Sequence, residues 1–482
     1  MARRLSLVIV GLLGAGCSFS PPAFGPAQTD AQGSALDASE LVEGGIPADD
    51  AGVTPADAAP SADAGVVDAA PMNDATLATD ALPDPDASAT IDGGVDGGVA
   101  MDALAGMDAL VGMDALPVDS GSSPDAGMSP DAQFPYTPSN GLQPNLVRDW
   151  RPEIDVPAGG VCTLDTGQGL GSARVSGSCG STAPRGGTPT LLSNASTAMV
   201  FIVGALRVQA GGQLVVTGAR PGILLALRDG TIDGTVSITP GTGTRGLVCP
   251  GNGQRGGSSG ESAAGGSGGS YGTQGGAGGD GSNGPMGGQA PGEWGDTSLE
   301  PLVGGCAGGD GGDGHDAGGP GGPGGGGLQI SVGGTLNIGP TGIVTAGGAG
   351  GRGGQRRGGG GGGGGSGGGI LLEANQLNLA GAVLTGGGGG AAGGPETGST
   401  GQAGSDASGQ LQNALGGTGM QNGGSGGDGA FSVGQGPSDG DQGADRGGGG
   451  GGGGGVGRVR LRSVLACSLV GQVGARTQND CP

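Results

Sequence analysis

G-I-L-L-A-L-R-D-G-T-I-D-G-T-V-S-I-T, beginning at Gly222, is the stretch whose reading decides the fold. Its pattern returns as G-L-Q-I-S-V-G-G-T-L-N-I from Gly327, G-I-L-L-E-A-N-Q-L-N-L-A-G-A-V-L-T from Gly369 and G-R-V-R-L-R-S from Gly457, with glycine-rich blocks of unequal length between the copies. Each copy is too small to bury its own apolar face, so neighbouring copies must stack to share one core. The expected fold is all-β, a β-helix or solenoid of stacked strands with long glycine-rich inserts. Ile223, Leu225 and Leu227, then Ile232, Val236 and Ile238, are expected on the inner face. Leu225, Ile330, Leu372 and Leu461 are the equivalent inner positions of successive rungs. Glu373, next to Leu372, is expected to point outward and to tolerate substitution.

Upstream of the repeat, strand candidates fall at residues 161–164, 173–178, 199–203, 206–209 and 214–217, with order beginning near Pro144 and the repeat domain spanning 141–482. The inserts cover roughly 251–326, 347–369, 386–429 and 434–457 and all leave the repeat after its apolar run. From Gly266 to Gly287 every third residue is glycine, the period of an extended helix with three residues per turn. Two readings stay open for the inserts, a sheaf of polyglycine-type helices packed on the solenoid or flexible loops.

Composition narrows the class. With 129 glycines, 2% aromatics and 34% apolar residues in 482, any packed body is long and thin or modest in size. The net charge is −24, and no lysine occurs, so the cationic side chains are all arginine. Such a chain is repelled by phosphates, and no nucleic-acid partner is expected. Residues 18–140 are mainly Ala, Asp, Pro, Gly and Ser with no basic residue, which reads as a disordered acidic linker.

Residues 1–17 have the build of an export signal: Arg3 and Arg4, an apolar run from Leu5 to Leu13, then Gly14-Ala15-Gly16 before Cys17. They resemble a lipoprotein signal, which implies a lipidated Cys17 at the mature N-terminus and a membrane partner through that anchor. An ordinary secretory peptide cut nearby is the alternative. Ser18 resembles the residue found in lipoproteins sent to the outer membrane, so the expected location is the outer membrane or cell surface. The six other cysteines form an even set in an exported chain. Their grouping suggests Cys162 with Cys179, Cys249 with Cys306, and Cys467 with Cys481.

Tracts such as G-G-A-G-G-D-G from Gly275 resemble glycine-rich, PGRS-like bacterial surface proteins, across residues 145–482 only. That resemblance implies a surface location and no shared catalytic activity. G-G-S-G-G satisfies a serine-hydrolase pattern by composition alone and lacks its strand-turn-helix context. Asp310, Asp313 and Asp316 offer oxygen ligands suited to calcium, without the nonapeptide period that would stack them. Asp229 and Asp233 beside Arg228 evoke the acidic clusters of β-helix enzymes that act on polysaccharide, though aspartate before glycine is an ordinary turn choice. Arg352, Arg356 and Arg357 lie in an RGG-like tract. Arg458, Arg460 and Arg462 share one strand face, either as a charged guard on the terminal rung or as an anion-binding ladder for glycan phosphate or carboxylate groups.

The expectation is therefore a cell-surface lipoprotein with a structural or adhesive, non-catalytic role, an envelope or extracellular polysaccharide as candidate partner, and no cofactor or metal. A polysaccharide-active β-helix enzyme and a calcium-stabilised binding module are the alternatives.

Overall fold

A computed structural model describes residues 134–142, 152–167, 173–192, 197–243, 249–282, 284–407 and 409–482. The signal, Cys17 and the linker up to residue 133 lie outside the described residues. In chain order the first strands are β1 Ile154–Val156, β2 Val161–Asp165, β3 Arg174–Gly177, β4 Thr188–Leu191, β5 Thr197–Val203 and β6 Leu206–Val208. Then come β7 Gln213–Thr217, β8 Gly222–Ala226, β9 Gly230–Ile232, β10 Thr235–Ile238, β11 Gly327–Ile338 and β12 Ile343–Thr345. The last are β13 Gly369–Leu379, β14 Ala382–Leu384, β15 Arg458–Leu469, β16 Gln472–Gly474 and β17 Arg476–Asp480. No helix occurs among the described residues.

The chain alternates between two sheets. One runs β1-β6-β9-β11-β13-β15-β17 with β4, β5 and β8 branching beside it, and the other runs β16-β14-β12-β10-β7-β2-β3. Every pairing is parallel except β2 with β3 and β4 with β5. Parallel register aligns like residues in columns: Leu224, Ile330, Leu372 and Leu461 follow one another across the first sheet. Val236, Val344, Val383 and Val473 do so across the second. The two columns meet in one core with Ile232, Ile338 and Leu379. Stacked β-branched and leucine side chains suit this pleated, buried surface, which no single strand could supply.

Leu225 departs from expectation. It is the outward neighbour of Leu224, in register with Ser331 and, beyond it, Glu373, and it packs on Phe134. Ile223 likewise faces an outer cluster with Tyr271, Leu299 and Leu302, and Leu227 borders the Phe134 cluster. The strand is apolar on both faces because both are covered, so alternation could not reveal which side is inner. What covers the outer face includes residues 134–142, of which 134–140 were read from sequence as the end of the disordered linker. Phe134, Ser139, Asn140 and Leu142 are buried, so the folded body reaches back at least to Phe134.

Between β10 and β11, β12 and β13, and β14 and β15 the chain passes from the second sheet to the first through a glycine-rich insert. The described insert residues form neither helix nor ladder, yet their backbone is hydrogen-bonded in a three-residue rhythm. Ala264, Ser267 and Ser270 donate to Gly257, Gln254 and Gly251; Gly265 and Gly268 donate to Gly279 and Gly276; Gly266 and Gly269 donate to Gly361 and Gly364. Successive residues reach different neighbours, and each neighbour is met again three residues later.

Residues 358–368 are bonded on every side, Gly360 to Gly312 and Gly319, Gly361 to Gly266 and Gly449, Gly362 to Arg352, and Gly365 to Gly388. A Cβ on Gly363 would collide with the backbone carbonyl of Ser267, and one on Gly451 with that of Gly362. Outer segments differ. In the run Ala307, Asp310, Asp313 every third residue carries a side chain toward the surface. There aspartates accept amides that have no neighbouring strand of carbonyls: Gly321 N–H to Asp310 at 2.8 Å, Gly318 to Asp313 at 3.0 Å, Gly287 to Asp280 and Gly416 to Asp428 at 2.7 Å.

Candidate functional site

On the outer face of the first sheet, β11, β13 and β15 bring three outward columns into register. Gly327, Gly369 and Arg458 form the first, Gln329, Leu371 and Arg460 the second, and Ser331, Glu373 and Arg462 the third. Residues 134–142 lie across them as a strap, and the first insert forms the opposite wall.

The three arginines take different surroundings. Arg458 is buried, 5.5 Å over the Tyr271 ring, and donates to the carbonyls of Tyr271 (3.1 Å) and Trp294 (3.0 Å). Burial pulls its pKa down and pushes the Tyr271 phenol up, so that hydroxyl stays neutral. Arg460 donates to Asp480 and Glu300, both at 2.6 Å, and to the Ser298 carbonyl at 2.8 Å. Burial opposes charge at both acids, but hydrogen bonds outweigh it and hold them below the usual carboxylate range, from Ser139 and Arg460 at Glu300 and from Arg460 and Gln478 at Asp480. Arg462 uses one terminal nitrogen for Glu373 (3.0 Å), the Ser139 hydroxyl and the Thr137 carbonyl (both 3.3 Å), and lies 5.9 Å over Tyr136.

Glu373 does point away from the core, as expected, but it is wholly buried under the strap. Its carboxylate accepts from the Ser139 amide (3.1 Å), Gln329 (2.9 Å), Ser331 (2.8 Å) and Arg462, so the expected tolerance to substitution does not follow. Asn140 completes the fastening, donating to Gln329 (2.9 Å) and the Leu299 carbonyl (3.1 Å) while accepting from the Leu302 amide (2.9 Å). Beside these groups opens a cleft of about 620 Å³, lined by Thr137 to Gly141, Glu300, Arg460, Arg462, Gln478 and Asp480.

The remaining sequence candidates lie apart from this cluster. Asp310 and Asp313 cap glycine amides, Asp313 also pairs with Arg255 at 2.5 Å, and Asp316 pairs with Arg357 at 3.1 Å and Arg356 at 3.6 Å. Among the described residues no group of acids, histidine and cysteine is arranged to hold a metal ion. Arg228 pairs with Glu153, and Asp229 accepts from the Thr335 amide at 2.8 Å, fastening the turn into β11. Cys162 and Cys179 stand at disulfide distance, Cα atoms 4.8 Å apart, as do Cys249 with Cys306 at 5.7 Å and Cys467 with Cys481 at 5.8 Å. These pairs are compatible with an extracellular protein. Among the described residues no helix is long and apolar enough to cross a membrane.

Gln329, Ser331 and the strap went unread in the sequence, and Glu373 was read only as an outward, replaceable side chain. Their signal was there: polar residues at alternate positions of otherwise apolar strands, matched between two copies of the repeat, and a Phe-Pro-Tyr at 134–136 in an aromatic-poor stretch. Comparison of the chain with family models, with curated proteins and with solved structures finds no match.

Proposed function

We propose that the chain is an exported, lipid-anchored cell-surface protein with a structural or adhesive role rather than a catalytic one. The alternation between two parallel sheets is read as a solenoid of the β-helix kind, each rung contributing one strand to each sheet. The inserts are read as polyglycine-type helices bundled beside it. The observation that carries the functional reading is the use made of charged side chains. Arg458, Arg460, Arg462, Glu373, Glu300 and Asp480 tie insert, strap and last strand to one sheet face. A body fastened in this way suits a role in which shape must be held outside the cell. Cys17 would supply the lipid, the acidic segment after it a spacer, and an envelope or matrix polysaccharide the partner. The resemblance to PGRS-like surface proteins supports the same location.

Three measurements test this. Mass spectrometry of the mature protein is expected to find a lipid-modified Cys17 as the first residue, and Cys17→Ser is expected to release the protein from membranes. Cells lacking the protein are expected to adhere less to a polysaccharide-coated surface. An unmodified terminus elsewhere would remove the anchor, and unchanged adhesion would remove the adhesive role.

A further inference from the structure

In the cleft beside the strap, the ionic cluster keeps hydrogen-bonding groups without a partner among the described residues. Arg462 spends a single terminal nitrogen on its partners, and its Nε and other terminal nitrogen have none among the described residues. Arg460 uses Nε and one terminal nitrogen, leaving the other without a partner among the described residues. Both side chains line the cleft, Arg462 one third exposed, and on the same wall stand the carboxylates of Glu300 and Asp480 and the amide of Gln478. Donors and acceptors therefore alternate over one short surface, already fixed by bonds to each other.

The charge balance decides the ligand. The lining holds two guanidiniums and two carboxylates, and Glu373 directly behind Arg462 adds a third carboxylate, so the site as a whole is one charge negative. A phosphate, sulfate or uronate would gain from Arg462 and lose to Asp480, Glu300 and Glu373 at short range, where repulsion is strongest. A neutral vicinal diol meets no such conflict, because one hydroxyl can accept from a guanidinium while its neighbour donates to a carboxylate. Fixed, paired groups also need little reordering to bind.

We propose that this cleft binds neutral oligosaccharide, with Arg462, Asp480 and Gln478 as the contacting side chains. This deepens the adhesive reading and rests on it for the source of the glycan, and it differs from the anion-binding ladder that the sequence offered as one of two readings of the arginine face. No aromatic ring stands among the lining residues to stack on a sugar face, so one site binds weakly, and many tethered copies on one cell would supply avidity.

The test presents full-length protein to an array of neutral gluco-, manno- and galacto-oligosaccharides beside uronate and sulfated chains of equal length. Binding to at least one neutral series is expected, weaker to its charged counterpart. Asp480→Asn and Gln478→Ala are each expected to reduce it, the first by about tenfold, the scale of a lost hydrogen bond to a charged group. Gln478→Ala should melt like the parent, which separates a lost contact from a lost fold, whereas Asp480→Asn also weakens the pair with Arg460 and should melt somewhat lower while remaining folded at the assay temperature. Absence of neutral binding, a preference for the charged chains, or equal binding by both variants would overturn the assignment. If cells carrying the two variants still adhere like the parent, the cleft is excluded while the adhesive reading stands; if cells lacking the protein adhere equally, the adhesive reading itself fails.

Discussion

Two residues with contrary appearances make the residue-scale case. Gly363 sits in a run that looks like filler, but it has backbone on every side and no room for a methyl group. Gly363→Ala is therefore expected to overpack the bundle and cost about 1–3 kcal/mol, whereas Gly434→Ala, at a position with open space around it, should be silent in the same thermal melt. Equal melting of the two variants would return the inserts to flexible loops. Glu373 looks like a surface acid, yet Glu373→Ala would strand Arg462, Gln329, Ser331 and the Ser139 amide without their shared acceptor. Removing one partner of a buried, bonded pair costs about 3 kcal/mol or more, and the strap should become open to limited proteolysis near Tyr136. The outward direction of Glu373 was legible from strand alternation; its burial was not, because the strap that covers it comes from a segment some 230 residues earlier in the chain.

At the scale of elements, strands of the repeat were readable because four copies share one pattern and parallel pairing sets like against like. β8 shows the limit: with apolar residues at five consecutive positions, period two carries no information about which face is inner. The inserts were legible only as a period, since glycine has no side chain to report its surroundings. A pattern with glycine or another small residue at every third position marks an enclosed segment, as in residues 358–368, and Asp there marks an outer one, as at Asp310 and Asp313. Amide hydrogen exchange discriminates between the two readings of the inserts. Residues 358–368 and 447–457 are expected to be protected like β13, although they belong to no strand, while the strand-free turn near Gly434 exchanges at once. Fast exchange throughout both tracts would contradict the hydrogen-bond pattern described.

For the molecule as a whole, acids act as fasteners, and this sets its response to pH. Gly318 N–H first, with Arg255, lowers the Asp313 pKa; against the cost of burial, Ser139 and then Arg460 lower that of Glu300, and Arg460 that of Asp480. A depressed folded-state pKa gives stability that is complete above the unfolded value, about 4, and is lost as pH falls through the folded values. Melting temperature is therefore expected to hold from neutrality to about pH 5 and to drop below about pH 4, with no gain on acidification. A melting temperature that rises below pH 4 would contradict this use of the carboxylates. The three-residue rhythm of the inserts has a different kind of consequence, one for how such a gene can vary. Because partners recur every third residue, removing or adding three residues returns the amides to equivalent carbonyls, while a change of one or two leaves them facing the wrong neighbours. Replication slippage in repetitive glycine codons would then be filtered by triplets of residues. Deleting residues 360–362 should be tolerated far better than deleting Gly360 alone, and the unequal lengths of the inserts become heritable variation that the bundle can absorb.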